Sequence, residues 1–123
     1  MTKYIVITGS RGWTDEGVAL EGIIEARVRF AEDVAFRYGG ARGADDIASQ
    51  MAILMGWPIE LYSADWGLHG TAAGMIRNRR MLLEPTRADL VIAFNLGSSG
   101  TQNMISLAKR YGVQVMIKWP KRI

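Results

Sequence analysis

The sequence predicts an α/β fold in which a doubly wound, parallel five-stranded sheet lies between two layers of helices. Five short apolar segments rich in β-branched residues alternate with four segments of helical periodicity. The connections between them are short, and parallel strands joined through helices form right-handed crossovers. We therefore expect the strand order 3-2-1-4-5 and a single domain spanning residues 1–123.

The strands are predicted from apolar composition. The first and fourth are almost continuously apolar, which is typical of strands buried on both faces of a sheet. The predicted strands cover residues 3–8, 33–38, 58–62, 88–94 and 113–119.

The helices are predicted from apolar residues at spacings of three and four. We expect Thr14 to cap the first helix, with Asp15 and Glu16 in its first turn, where carboxylates are favourable. Pro85 and Gly112 mark the ends of the third and fourth helices. The second to fourth helices are predicted at about residues 44–56, 71–84 and 101–111.

The composition narrows the classes of function. The chain has 123 residues, of which 49% are hydrophobic and 22% charged, as in soluble globular proteins. It has neither a membrane-length apolar run nor the layout of a signal peptide, so we expect a cytoplasmic protein without a membrane partner. Cysteine is absent and His69 is the single histidine, which leaves little material for a metal site. We predict neither a metal nor a cofactor.

Glycine-rich loops follow three of the predicted strands. They read "GSRGW" at residues 9–13, "GGARGAD" at 39–45 and "NLGSSGT" at 95–101. The carboxyl ends of parallel strands meet at one sheet edge, where ligands bind. Glycine lets the backbone approach an anion, and a helix amino end presents free N–H groups to it. Although a single such loop is often only a turn, three at one edge predict a phosphate-bearing ligand.

An arginine-rich helical segment, "MIRNRRMLL" at residues 75–83, adds positive charge to this prediction. On a helical wheel Arg79 falls within the apolar arc, whereas Arg77 and Arg80 project toward solvent. A guanidinium on a buried face requires a partner, so we expect Arg79 to point at the bound anion. The alternative is that Arg79 extends past the core to water.

These segments, in this order, resemble the SLOG superfamily, which includes the DNA-processing protein A (Smf) and Lonely Guy proteins. The resemblance rests on "TGSRGWTD", "GGARGADDIASQMAILMGW", "IRNRRM" and "ADLVIAFNLGSSGTQNMI". It covers nearly the whole chain and is closest to the small stand-alone members related to YspA and YpsA, found in bacteria and phages. It implies a Rossmann-like fold that binds nucleotides, nucleoside monophosphates or ADP-ribose-like molecules.

The resemblance also implies a set of ligand-binding positions, most of them in the three loops. Trp13, which follows the first strand, is a further candidate for stacking on a base, as is Trp66. For each tryptophan, the alternative is that it simply covers a loop. The positions implied by the resemblance are Gly9, Ser10, Arg11, Gly39, Gly40, Arg42, Gly43, Asp45, Asn78, Arg79, Gly97, Ser98, Gly100 and Thr101.

One departure from the superfamily leaves enzymatic activity open. Lonely Guy enzymes carry a glutamate at the position that Met104 occupies here, and a thioether cannot act as an acid or base. Asp45, Asp65 or Glu21 could substitute, and nothing in the sequence selects one of them. His69 lies in a polar loop, where packing or helix entry is the alternative to acid–base work.

The leading prediction is therefore a binding module that senses or sequesters a small nucleotide-type ligand. A phosphoribohydrolase acting on nucleoside 5′-monophosphates is the first alternative. The second is single-stranded DNA binding through Arg77 and Arg80, which are predicted to face solvent. The aromatic stacking surface that usually accompanies such binding is not obvious in the sequence. We also expect a homo-oligomer.

Overall fold

The computed structural model describes residues 1–40 and 43–121, within which five strands form one parallel sheet. Its order, β3-β2-β1-β4-β5, confirms the predicted topology. Helices cover both faces, as the predicted three-layer Rossmann-like arrangement requires. The strands are β1 Lys3–Gly9, β2 Val34–Tyr38, β3 Ile59–Leu61, β4 Leu90–Phe94 and β5 Gln114–Lys118.

The described ranges contain five α-helices, one of which the sequence did not predict. A short helix and a 3₁₀ turn, Gly70–Ala72, precede the predicted third helix, which begins later than expected. No helix among the described residues is long and apolar enough to cross a membrane. The helices are α1 Glu16–Val28, α2 Ala44–Leu54, α3 Trp66–His69, α4 Ala73–Leu83 and α5 Ser99–Arg110.

The cap of α1 differs from the prediction by one residue. Asp15, rather than Thr14, occupies the capping position, and its Oδ1 accepts the backbone N–H of Val18 at 3.0 Å. The same hydrogen bond lowers the pKa of Asp15 below its ordinary value. The carboxylate therefore satisfies one of the free N–H groups at the start of the helix.

The central strands explain the continuous apolar segments in the sequence. Ile5 and Ile7 of β1 pack under α1 and α2, whereas Val6 packs on the other face under α4 and α5. On the neighbouring strand β4, Ile92 and Val91 divide between the two faces in the same way. The central strands of a parallel sheet are covered on both sides, which accounts for their mostly apolar sequence, as predicted.

A buried arginine fixes the carboxyl end of α4 to the sheet. Arg37 of β2 is 1% exposed, and its Nη1 donates to the Met81 carbonyl at 2.9 Å. The Tyr4 ring centroid lies 4.3 Å from the guanidinium carbon. The Tyr62 hydroxyl donates to the Glu84 carbonyl, and burial raises the pKa of Tyr62 to about 12. These contacts satisfy carbonyl groups at the end of the helix that would otherwise lack partners.

Candidate functional site

A cavity of about 730 Å³ opens at the carboxyl ends of the strands, the edge predicted from the loops. Its volume is within the range of small-molecule sites. The loops after β1, β2 and β4 contribute to it, together with α3, α4 and the amino end of α5. The predicted site residues that line the cavity are Gly9, Ser10, Arg11, Gly39, Asp45, Asn78, Gly97, Ser98, Gly100 and Thr101.

Three hydroxyl groups cluster at the amino end of α5. The Ser10 hydroxyl donates to Ser98 Oγ at 2.9 Å, and the Ser98 hydroxyl donates to Thr101 Oγ1 at 2.9 Å. The Leu96 backbone N–H donates to Ser10 Oγ at 3.0 Å, which joins the β1 loop to the β4 loop. Ser98 is the capping residue, but its side chain does not cap the helix. The first-turn N–H groups of α5 can therefore serve an anion in the cavity.

Asn95 shapes the β4 loop, and the sequence did not identify it as important. Its side chain is buried, and its Oδ1 accepts the Gly97 backbone N–H at 2.7 Å and the Gln102 side chain at 3.3 Å. Gly97 has a φ of +88°, which glycine adopts without strain. An asparagine that hydrogen-bonds the backbone two residues on forms a turn by itself. That signal, "N-L-G" after a strand, could have identified it.

Arg77 and Asn78 connect the β2 loop to α5 through a chain of hydrogen bonds. Arg77 Nη1 donates to the Gly39 carbonyl at 2.8 Å, and Nε donates to Asn78 Oδ1 at 3.1 Å. Asn78 Nδ2 then donates to Asn103 Oδ1 at 3.0 Å and to the Gly100 carbonyl at 3.3 Å. Both polar ends of Asn78 are thus used within the protein. Its main part here is to position the loops that surround the cavity.

The electrostatic surroundings of Arg77 are mixed. Burial lowers the pKa of Arg77 below its ordinary value, the nearby carboxylate of Asp45 opposes this shift, and the positive charge of Arg11 adds to it. Arg77 is half-buried and lines the cavity. A cation held in this way is stabilised by an anion that reaches it.

The predicted orientations of Arg77 and Arg79 are wrong, whereas Arg80 is exposed as predicted. Arg79 is exposed, lies outside the cavity lining, and has its guanidinium carbon 5.9 Å from the Tyr111 ring centroid. The wheel counted Met75 and Ile76 as core residues, but they are 60% and 37% exposed. When Met75 and Ile76 are left out, the buried arc of α4 lies away from Arg79, and the side of the helix that carries Arg77 faces the cavity.

The prediction for Trp13 is also wrong, since Trp13 belongs to the core. It is 2% exposed, its indole Nε1 donates to the Asp15 carbonyl at 2.8 Å, and its ring packs edge-on against Phe94. A residue enclosed in this way has no face for a ligand. Trp66, the other candidate, lines the cavity and is 53% exposed.

Gly40 and Gly43 of the second loop lie outside the cavity lining. Gly43 has a φ of +80°, and a Cβ there would lie 2.4 Å from the Ser10 carbonyl oxygen. In the first loop, a Cβ on Gly9 would lie 2.6 Å from Cβ of Ala44, so glycine is needed for the approach of α2. Arg42 lies outside the described residues, and its role stays a prediction.

Asp45 is the one of the three candidate acids that the structure brings to the cavity. It is 3% exposed, and its Oδ2 accepts the Gly39 backbone N–H at 3.1 Å. Asp65 instead caps α3 by accepting the Leu68 N–H, and Glu21 pairs with Lys121 at 3.3 Å. Neither of these two lines the cavity.

Met104 lies in the hydrophobic cluster on the α4–α5 side of the sheet and is fully buried. Its neighbour Asn103 lines the cavity in its place. His69 is exposed at the end of α3 and does not line the cavity. The described residues hold no group of His, Asp and Glu side chains suited to a metal.

The sequence matches a known family. The model of the YAcAr family, described as the YspA, cpYpsA-related SLOG family, matches residues 4–69, more than half of the chain. The chain belongs to the YAcAr family. This confirms the predicted superfamily and the predicted resemblance to its small YspA-related members.

Two individual proteins resemble this YAcAr chain. The Gene 61 protein of Mycobacterium phage D29 is 38% identical over 120 residues, which cover 93% of this chain and 94% of the phage protein. An X-ray structure of TM1055 aligns with a TM-score of 0.70 over 92% of this chain and 72% of TM1055, at 20% identity. At that identity the similarity shows the fold alone, and it agrees with the parallel α/β arrangement described above.

Proposed function

We propose that this YAcAr protein binds a small phosphorylated nucleoside-type ligand, a nucleotide or an ADP-ribose-like molecule, as a sensor or sequestering module. The observation that carries the proposal is the convergence of three anion-binding features on one cavity. They are the uncapped first turn of α5, the hydroxyl cluster of Ser10, Ser98 and Thr101, and the guanidinium groups of Arg11 and Arg77.

The charge of the cavity fits a phosphate. Among its described lining residues, Arg11 and Arg77 are positive and Asp45 is negative, and the amino end of α5 adds partial positive charge. Serine and threonine hydroxyls can donate to phosphate oxygens once they rotate away from one another. A phosphate monoester would therefore gain charge-assisted hydrogen bonds in a partly enclosed site.

Membership of a SLOG family supports a nucleotide-related ligand rather than another anion. The shape of the cavity agrees, because it continues beyond the α5 end to the side chains of Trp66 and Met75. A phosphate alone would leave this apolar part of the cavity in contact with water.

The direct test is calorimetry or thermal shift with AMP, ADP-ribose, NAD and cyclic nucleotides, with adenosine as the matched control without phosphate. We expect a phosphorylated member of the panel to raise the melting temperature and adenosine to have a much smaller effect. Equal stabilisation by AMP and adenosine would contradict an anion site. Crystals grown in sulfate provide a second test, since an anion should bind at the first turn of α5.

A specific observation also supports phosphoribohydrolase activity as the second candidate: Asp45 brings a buried carboxylate to the cavity. Because Asp45 accepts a backbone N–H and Met104 is in the core, we expect little release of base from AMP. Release of adenine and ribose 5-phosphate that disappears in Asp45→Asn would establish the enzyme instead. Single-stranded DNA binding and a homo-oligomer stay predictions from the sequence.

A further inference from the structure

A second part of the cavity lining is apolar and open to solvent. Trp66 and Met75 line the cavity and are 53% and 60% exposed. We propose that Trp66 is the stacking surface for a planar heterocyclic base, so that the ligand is a nucleotide with its base attached and not a sugar phosphate. This inference rests on the proposed function, because the phosphate site orients the ligand.

The indole of Trp66 lies beside the first turn of α4. Trp66 is the first residue of α3, which Asp65 caps by accepting the Leu68 N–H at 3.0 Å. A Cβ on Gly74 would lie 3.4 Å from Cη2 of Trp66, an ordinary van der Waals separation, so the six-membered ring is a neighbour of the first turn of α4. Tryptophan offers a large, rigid surface with only two side-chain torsions, so stacking on it costs little conformational entropy.

The chemistry of these side chains favours a base over other apolar groups. Tryptophan offers a large π-face, and bases of any sequence stack on such a face. The Met75 thioether lines the same cavity, and a thioether contacts aromatic rings favourably and adapts to their shape. Because the same cavity holds the α5 anion site, one molecule with a phosphate and a base can satisfy both parts.

The other tryptophans provide a control for exposure. Trp13 is in the core, and Trp57 packs against Phe36 with ring centroids 5.8 Å apart. Trp119 is 60% exposed, as open as Trp66, but it does not line the cavity. An exposed tryptophan is thus also found outside this cavity, and Trp119→Ala is the matched control for Trp66→Ala.

The test is calorimetric titration of the wild type, Trp66→Ala and Trp119→Ala with AMP and with ribose 5-phosphate. We expect Trp66→Ala to bind AMP roughly 5- to 150-fold more weakly, the scale of losing one base–aromatic stack. Its affinity for ribose 5-phosphate should be unchanged, and Trp66→Phe should retain part of the AMP affinity. Trp119→Ala should bind both ligands as the wild type does.

Each contrary result has its own meaning. Equal affinity of the wild type for AMP and ribose 5-phosphate would overturn the base subsite and leave the phosphate site standing. Equal losses for both ligands in Trp66→Ala, with a lower molecular mass in light scattering, would assign Trp66 to a subunit contact and overturn the proposal. A wild type that binds neither of these ligands, nor ADP-ribose, NAD or a cyclic nucleotide, would overturn the proposed function itself.

Discussion

Replacing Arg77 with alanine, with Arg79→Ala as the matched control, separates the site seen in the structure from the one predicted by the helical wheel. The two arginines are two positions apart on α4. Arg77 lines the cavity and is half-buried, whereas Arg79 is exposed and lies beside Tyr111. Each substitution removes one guanidinium from the same helix, so a difference in binding between the two variants reports what Arg77 contributes at its position.

The expected magnitude follows from the contacts of Arg77. Losing one charge-assisted hydrogen bond to phosphate should weaken binding by about 1.5–3 kcal/mol, or roughly 10- to 150-fold in Kd. The variant also loses the bonds to the Gly39 carbonyl and to Asn78 Oδ1. These should lower the free energy of unfolding by about 1–3 kcal/mol. Arg79→Ala should change stability by less than about 0.5 kcal/mol and leave binding unchanged.

The assay combines calorimetry with AMP and urea unfolding of the same preparations. Arg77→Lys adds a further variant, because it keeps the charge but loses the planar fork that spans Gly39 and Asn78. We expect its affinity to fall between those of the wild type and Arg77→Ala. If Arg79→Ala loses the ligand and Arg77→Ala retains it, the placement of the site on the Arg77 side of α4 is refuted.

The remaining predictions concern stability. Arg37→Ala should lower the free energy of unfolding by about 2–4 kcal/mol, since it leaves a cavity and frees the Met81 carbonyl. Arg37→Met should lower it by about 1–2 kcal/mol less, because the methionine fills the space. Equal losses of the two variants in urea unfolding would contradict this. Gly43→Ala should lower the melting temperature more than Gly97→Ala. Both glycines have a positive φ, but an added Cβ would lie 2.4 Å from a backbone atom at Gly43 and would have no atom within 4 Å at Gly97. Equal melting temperatures would count against the clash. The raised pKa of Tyr62 means that the fold favours its neutral form, so this contribution to stability is complete below about pH 10 and is lost as the pH rises to about 12. Tyr62→Phe should therefore lose less stability than the wild type over that interval, and parallel pH profiles would refute the assignment.

The sequence by itself determined the sheet, its order and the edge at which the cavity opens. Alternating apolar segments and short connections restrict a chain of this length to few arrangements, and right-handed crossovers select among them. The glycine-rich loops must then lie at one edge of the sheet, because the carboxyl ends of parallel strands all lie there. Ser10, Gly39, Asp45, Ser98 and Thr101 accordingly line the cavity as predicted.

The tertiary structure alone decided which side chains face that cavity. A wheel places residues around one helix axis but does not give the rotation of the helix against its neighbours, so it selected Arg79 where packing presents Arg77. The same limit applies to Trp13, which follows a strand end but turns into the core against Phe94. The spacing of apolar residues along one helix does not show which of them stay exposed in the fold. Contacts of α4 with the rest of the fold, such as those of Met81 with Arg37 and of Asn78 with Asn103, settle that rotation, because they join residues distant in the sequence.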